Sequence, residues 1–318
     1  MDLYNHTNPL FTKWIVDKEL LQDRLTVVDV GCQGGPHLRW KALGEFVDFH
    51  GFDPIAEVIA DLEDEYRHVS NYHFYPIALG NEDGQRQFYV KSDDRFSSSF
   101  YCPPLEDFDR ARMPYESRTV EIQKLDTLSS SLGIPPADYI KLDCEGFESE
   151  VLLGARDYLE SSGPICVTTE TNFGISPTHL RTHFSTLNDL LLLHRLRVFD
   201  LSYVRWPHPY YLAALEEDAA RRITLRVVGR PSTFDFVFCR DLVAERDSPH
   251  SYINKPLPYN VPRVDTLIKA MINFELHGLM DCAFEIGVQF RELLEQRLDV
   301  SRALDLLLAP APSPRLNF

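Results

Sequence analysis

The amino-acid sequence predicts an α/β protein: a doubly wound, mostly parallel sheet with an antiparallel closing strand, followed by a C-terminal helical extension. Three observations carry that expectation. Short β-branched runs alternate with segments of helical period through the first 80 residues, giving β-α-β-α-β and hence right-handed crossovers. Two runs, TVVDVGCQGG (Thr26 to Gly35) and ADYIKLDCEGFESEVLLGA (Ala137 to Ala155), pass abruptly from buried strand to acids and glycine, so two strand ends face one crevice. Late in the chain, Arg197 to Val204 and Phe234 to Cys239 read as two strands that close the sheet.

Each element follows in order. Residues 1–24 read as a helical or coil cap, 26–30 as the first strand, and a helix opens near Pro36, a residue suited to a first helical turn. The next strand is 47–52. Ile55 to Tyr66 carries Ile55, Val58, Ile59 and Leu62 on one helical side, and Tyr72 to Leu79 reads as a third buried strand. Gly80 to Asp83 turns the chain into an exposed strand, Gln85 to Val90. Lys91 to Ser117, rich in Ser, Asp, Arg and Pro, is long enough to read as a lid or as disorder. Thr119 to Leu128 predicts a strand and turn, Tyr139 to Leu142 a central strand, Ser149 to Glu160 its helix and Ile165 to Thr169 a further strand. Ser176 to Leu193 is helical with Pro177 at its start, and a helical insertion around Leu212 to Arg222 separates the last two strands. The tail from about Pro262 carries helices Val264 to Gly278 and Asp281 to Leu298 before a disordered PAPSPRLNF.

A chain of 318 residues can bury one substantial α/β core with an appendage. Its 32 basic and 48 acidic residues give a formal charge of −16, which repels phosphate backbones and anionic lipid. That argues against a general nucleic-acid or membrane-surface role and leaves room for a local basic pocket. The six cysteines lack a CxxC pair, so neither disulfides nor structural zinc are expected. Met1 to Trp14 has no sustained apolar core, and no run approaches a membrane span, so the expected compartment is the cytoplasm.

Asp29, Gly31, Gly34 and Gly35 occupy the first strand-to-helix turn, where missing side chains let a ligand lie against the backbone and amides at a helix start become donors. The spacing is not G-x-G-x-x-G, and G-x-x-x-x-G-K-[ST] is absent. Asp53, roughly twenty residues beyond the glycine turn and at the end of the second strand, is placed to accept from ribose hydroxyls; the plainer reading is a helix cap. Adenosine is the handle these residues suggest.

At these positions the chain resembles the FkbM-type methyltransferases, members of the class I S-adenosylmethionine-dependent fold. The likeness rests on VVDVGCQGG (Val27 to Gly35), GFDP (Gly51 to Pro54) with ALGNEDG (Ala78 to Gly84), and LDTL with YIKLDCEGFESEVLLGA (Leu125 to Ala155), covering about residues 25–175. STFDFVFCR, from Ser232 to Arg240, is similar to the family's closing strand. The resemblance implies a Rossmann-like seven-stranded sheet, a methyltransferase domain over 25–245, and a helical extension over 246–318. It also implies S-adenosyl-L-methionine held by Asp29, Gly31, Gln33, Gly35, Asp53, Ala78 and Asp143, with O-methylation of a carbohydrate, glycolipid precursor or polyketide-like metabolite. Cys32, Gln33 and Asp53 depart from the usual D-x-G-A-N-x-G and G-F-E-P, which loosens the detail of the amino-acid and ribose contacts.

Methyl transfer from a sulfonium needs an acceptor held in line, and acids at the strand ends give a cationic cofactor a negative crevice. Asp143 and Glu145 are the first catalytic candidates and Glu170, in VTTETN, the third, as proton acceptors or substrate anchors. The same trio leaves a divalent metal open, although the sequence favours none. Glu148 reads as a helix-dipole complement and Lys141 as an internal ion-pair partner. His179 and His183 read as a solvated helix face, His37 as a first-turn surface residue and His50 as a core histidine. Ser98, Ser99 and Tyr101 in the long loop offer hydroxyls and an aromatic face to an acceptor, with Arg95, Arg110 and Arg112 for an acidic substituent. Tyr203, Trp206, His208, Tyr210 and Tyr211 form a second acceptor-wall candidate, and the tail helices offer a surface for a homo-oligomer. Two rivals stay open: a non-catalytic cofactor-binding or assembly protein, and an NAD-dependent oxidoreductase, which the glycine spacing disfavours.

Overall fold

The computed structural model describes residues 8–91, 98–101, 115–171, 182–206, 230–247 and 262–309, without the side chains of 204–206, 230–233 and 247. In chain order its strands are Leu25–Val30 (β1), Val47–Phe52 (β2), Tyr72–Tyr75 (β3), Ala78–Leu79 (β4), Gly84–Lys91 (β5), Tyr115–Gln123 (β6), Tyr139–Leu142 (β7), Cys166–Thr171 (β8), Leu196–Trp206 (β9) and Arg230–Arg240 (β10). Its helices are Leu10–Asp17 (α1), Ala56–Tyr66 (α2), Leu125–Leu132 (α3), Glu148–Leu153 (α4), Arg156–Ser162 (α5), Phe184–Leu193 (α6), Leu242–Asp247 (α7), Val264–Leu276 (α8), Met280–Gln289 (α9), Arg291–Leu294 (α10) and Val300–Leu308 (α11).

Seven strands form one sheet in the order β3-β2-β1-β7-β8-β10-β9. The pairs from β3 to β8 are parallel, and β10 runs antiparallel between β8 and β9. β1 is buried along its whole length, as a central strand covered on both faces must be. Parallel register puts Phe49, Phe74, Tyr139 and Lys141 on one face. Against that face pack Tyr66 of α2, whose ring lies 5.8 Å from Phe74, and Trp40, 4.7 Å edge-on from Tyr139. Strand order reverses direction between β1 and β7, and in such sheets ligands bind outside the carboxyl ends at that point.

Several elements differ from their sequence expectations. No α-helix follows the glycine turn; instead two 3-10 turns, Leu38–Ala42 and Gly44–Phe46, make the crossover. Gly35 and Gly44, both at positive φ, leave only residues 36–43 between them, and His37 closes the first turn by accepting from Arg39 N at 3.1 Å. The expected strand 72–79 splits at Pro76, which cannot donate to a ladder; β4 leaves to form a second sheet, β4-β6-β5. Residues 125–128, expected as strand and turn, begin α3. The expected helix 149–160 breaks into α4 and α5 at Gly154, where an added Cβ would lie 1.8 Å from Gly80 O. The 281–298 helix likewise divides at Phe290. Residues 176–181, the Leu212 to Arg222 insertion, the lid portions 92–97 and 102–114, and residues 310–318 lie outside the described residues.

The tail helices form a layer on the sheet. From Leu267 through His277 every residue is buried, which is the environment of a helix apolar on nearly all sides. His277 stacks on Tyr139 at 5.4 Å and Phe274 on Phe199 of β9 at 5.5 Å. Lys269 Nζ meets Asp138 Oδ2 at 2.8 Å, and that carboxylate also accepts from Thr26 N. α9, α10 and α1 pack around α8 in turn.

Candidate active site

The carboxyl ends of β1, β2 and β7, with β4 and β5 beside them, enclose a crevice. Val30, Gly31 and Gln33 form its floor; Phe52, Asp53, Pro54 and Ile55 one wall; Ile77, Ala78, Leu79 and Phe88 another. Asp143, Cys144, Glu145 and Phe147 close it from β7, and Ser98 and Phe100 cover it. Counted to its open mouth the crevice holds about 630 Å³ of unfilled space, but only about 70 Å³ admits the centre of a water-sized sphere. The smaller figure measures fit: a nucleoside-sized ligand, whose pockets run to roughly 300 Å³ or more, enters only if the covering side chains move.

Asp29 stands behind the crevice. It is buried on β1 beside Lys141, whose Nζ lies 3.1 Å from Asp29 Oδ1, 3.1 Å from Gly31 O and 3.4 Å from Asp143 Oδ2. Burial alone depresses the Lys141 ammonium, but the Asp29 and Asp143 carboxylates outweigh it and hold the pKa above its ordinary value. Burial pushes Asp29 up, with Lys141 opposing. Asp143 is 42% exposed on its side chain and reaches into the crevice while paired to the same lysine.

The glycine turn is spent on structure. Gly31 N and Cys32 N both donate to Phe52 O, and Gly35 N donates to Cys32 O, so none of these amides is left for a ligand. Gly31, at φ +80°, passes so near β7 that a Cβ would lie 1.8 Å from Asp143 O. Gly35 faces Leu62 and Tyr66 of α2, away from the crevice. Asp53 lines the crevice, and its Oδ1 accepts from Ile55 N at 2.8 Å at the start of α2. Burial pushes its carboxyl up to about 6, against that hydrogen bond and Lys141.

β7 ends in a turn of unusual shape. Glu145 has φ +54° and Gly146 φ +98°, the first a conformation that non-glycine residues rarely adopt. Glu148, buried at the start of α4, folds back so that Oε1 accepts from Cys144 N at 3.2 Å and Gly146 N at 3.0 Å. Ser99 Oγ donates to Glu145 O at 2.9 Å, and Thr182 donates to Gly146 O from both N and Oγ1. Ser99 also bridges Tyr89 through the backbone, and Ser98 Oγ accepts from Lys91 N. Both serine hydroxyls are therefore engaged with the chain itself. Phe100 packs 5.0 Å from Phe88 and 4.5 Å from Phe147, Tyr101 lies 5.7 Å from Phe147, and the Arg86 guanidinium covers the Phe100 and Phe147 rings.

Glu170 ends β8 directly opposite Asp235 of β10 and, by register with Lys141 through Thr168, on the lysine's face of the sheet. Burial, then Asp143, Glu145 and Asp235, push its carboxyl up to about 9. It is a neighbour of the crevice and does not line it. His37 closes a turn, and His50 is buried with Nδ1 3.2 Å from Tyr75 OH. His183 precedes α6, and Tyr203 is exposed on β9 with its ring 6.0 Å from Phe234. Arg95, Arg110, Arg112, His179, His208, Tyr210, Tyr211 and the Trp206 side chain lie outside what is described. Among the described residues no cluster of three His, Cys, Asp or Glu side chains could hold a metal ion, and no helix is long and apolar enough to cross a membrane. The apolar walls from Pro54, Ile55, Ile77 and Phe88 escaped the sequence reading, although the Phe88-x-Val90 alternation in β5 signals an inward face.

Residues 38–194, just under half of the chain, match the family model described as the methyltransferase FkbM domain. The matched span takes in Asp53, Ala78, Asp143, Glu145 and Glu170 and begins beyond the glycine turn. No curated protein matches the chain. Among solved structures, the chain is similar to methyltransferase FkbM from Methylobacillus flagellatus KT at 15% identity and TM-score 0.36, with 71% of this chain and 47% of that chain covered. It thus spans about half the length of that protein. It is also similar to an antibiotic related methyltransferase at 17% identity and TM-score 0.30, covering 71% of this chain and 92% of that one. A third likeness is to the MccD protein, at 8% identity and TM-score 0.36, covering 72% and 96%.

Proposed function

We propose that the protein, whose residues 38–194 match the family model described as the methyltransferase FkbM domain, transfers the methyl group of S-adenosyl-L-methionine to a hydroxyl of a carbohydrate, glycolipid precursor or polyketide-like metabolite. The observation that carries the reading is the crevice itself: three carboxylates, Asp53, Asp143 and Glu145, set in apolar walls at the reversal of strand order. That donor set suits a cationic adenosyl compound, with Phe52, Pro54, Ile55 and Ile77 against the base and acids toward ribose and sulfonium. When bound, the cofactor supplies an electrophilic methyl group on a positively charged sulfur.

The chain's own residues then have distinct tasks. Asp53 Oδ1 accepts from Ile55 N, so Oδ2 is the oxygen we assign to a ribose hydroxyl. Gln33 and Ala78 line the cofactor's side of the crevice, and Gly31 lets β1 and β7 approach closely enough to form it. Lys141 fixes the Asp143 carboxylate. Glu145, which lines the crevice beside Asp143, is the carboxylate we assign to the acceptor's proton. Glu170, whose carboxyl burial and then Asp143, Glu145 and Asp235 push up to about 9, stands beside the crevice and is assigned no contact with the cofactor. Ser98 contributes by covering the crevice, Ser99 by its bond to Glu145 O and Tyr101 by packing on Phe147.

Calorimetry with S-adenosylhomocysteine tests the cofactor half. Binding that Asp53→Ala weakens by about tenfold or more is expected; absence of binding to the folded protein would sink the proposal. NAD(H), which should leave the melting temperature unchanged, is the control for an oxidoreductase. Labelled cofactor with candidate glycans, read by mass spectrometry, addresses the acceptor, and Glu145→Gln should abolish transfer while sparing cofactor binding.

A further inference from the structure

We infer that Glu148, which the cofactor crevice does not include, is the positioning residue for the Asp143–Gly146 turn and thereby sets where both crevice carboxylates of β7 stand. The inference rests on the methyltransferase reading for the purpose of those carboxylates, and on geometry for the rest. A non-glycine residue at φ +54° is strained and persists only when its surroundings over-determine it. The turn is held in this way. Asp143 N donates to Val30 O, Cys144 N and Gly146 N donate to Glu148 Oε1, Glu145 O accepts from Ser99 Oγ, and Gly146 O accepts twice from Thr182. Glu148 accepts two of these bonds through one atom, and the amides it holds, Cys144 N and Gly146 N, lie on either side of Glu145.

Geometry explains why this position needs an acid. Glu148 opens α4, whose N-cap, Phe147, offers no capping side chain, so a carboxylate there can fold back over the preceding turn rather than point to solvent. The side chain is almost fully enclosed, and Oε2 has no hydrogen-bond partner among the described residues. Such a group is costly to bury, and burial pushes its pKa up against the three amides that favour the charge. A residue needed only for packing would be an apolar one here. The expensive choice is accounted for by what Oε1 does: fixing Cys144 N and Gly146 N fixes the backbone from which Asp143 and Glu145 project into the crevice.

Two variants separate positioning from packing. Glu148→Leu keeps the bulk and removes the acceptor; Glu148→Gln keeps a carbonyl able to take both amides. The expected result is that the Leu variant still folds, with a lowered melting temperature because the amides of Cys144 and Gly146 lose their acceptor. It should also bind S-adenosylhomocysteine about tenfold or more weakly and exchange the amides of 144–146 faster by hydrogen–deuterium exchange. The Gln variant should bind within about threefold of wild type with those amides still protected. A folded Leu variant with wild-type affinity and wild-type protection overturns the inference, as does equal loss in the Leu and Gln variants. If wild-type protein binds no S-adenosylhomocysteine, the methyltransferase reading falls, and the exchange data alone decide whether Glu148 holds the turn.

Discussion

Lys141 is where the acidic crevice is balanced. Its ammonium touches Asp29, 4% exposed, and Asp143, which faces the crevice, so removing it strands a buried carboxylate. Lys141→Met is expected to cost about 3 kcal/mol in urea unfolding, because breaking a buried pair leaves an uncompensated charge. Glu170 makes the opposite prediction. Its carboxyl ionises at about 9 in the folded protein and near 4.5 when unfolded, so between those values folding retains a proton that the unfolded chain has lost. Stability therefore falls as pH rises across that window. Glu170→Gln should stabilise the protein at neutral pH by up to about 3 kcal/mol and flatten that fall, as melts at several pH values would show. Asp53, at about 6, has the same sign over a narrower range; an ionised carboxylate is the better ribose acceptor, so affinity for S-adenosylhomocysteine should weaken below about pH 6 and lose that dependence in Asp53→Asn. Asp143, Lys141 and Asp53 were legible in the sequence because strand alternation and strand ends place them. Glu148 was not, because its reach back to Cys144 depends on a left-handed residue that no local pattern announces.

At the scale of elements, the central strands were legible and their connections less so. β1, β2, β7 and β8 are buried along most of their length, as parallel strands covered on both faces are, and their apolar and β-branched residues mark them in the sequence. Helical period failed where contact between distant backbones decided the shape. Gly154 against Gly80 breaks the helix after β7, and Trp40 against Tyr139 is seated by 3-10 turns where a helix was expected. α1 shows the same dependence on distant residues. It follows Pro9, which has no capping side chain, and its first amides are met by Glu275 of α8: Phe11 N at 2.9 Å, Thr12 N at 2.7 Å and Thr12 Oγ1 at 2.6 Å. Capping from 263 residues away cannot be read as a local motif. Glu275→Ala leaves those buried donors unpaired and should cost about 2–3 kcal/mol, with α1 amides exchanging first in hydrogen–deuterium exchange.

Across the whole molecule, the C-terminal helices complete a layer that the first crossover does not supply. Where a crossover helix would cover β1 and β7 stand Trp40 and the buried length of α8, with Lys269 pinned to Asp138 at the amino end of β7 and Phe274 against Phe199 of β9. The sequence marks a boundary near residue 245 and a helical period beyond it. It gives no sign of which sheet face those helices cover, because a helix apolar on nearly all sides is compatible with any buried position. Removing residues 262–318 would expose Tyr139, Trp40 and the inner side of α1 to water and strand Asp138, whose partner is Lys269. Together these losses are comparable with the roughly 5–15 kcal/mol by which a domain of this size is stable. A protein ending at residue 261 is therefore expected to lack a cooperative thermal transition and to aggregate in size-exclusion chromatography. If it melted cooperatively within a few degrees of the full chain and kept its S-adenosylhomocysteine affinity, residues 25–245 would be the folding unit and the helical layer an appendage. Lys269→Met in the full chain provides the graded version: it leaves the apolar layer in place and removes only the tie to Asp138, so it should lower the melting temperature while leaving the transition cooperative.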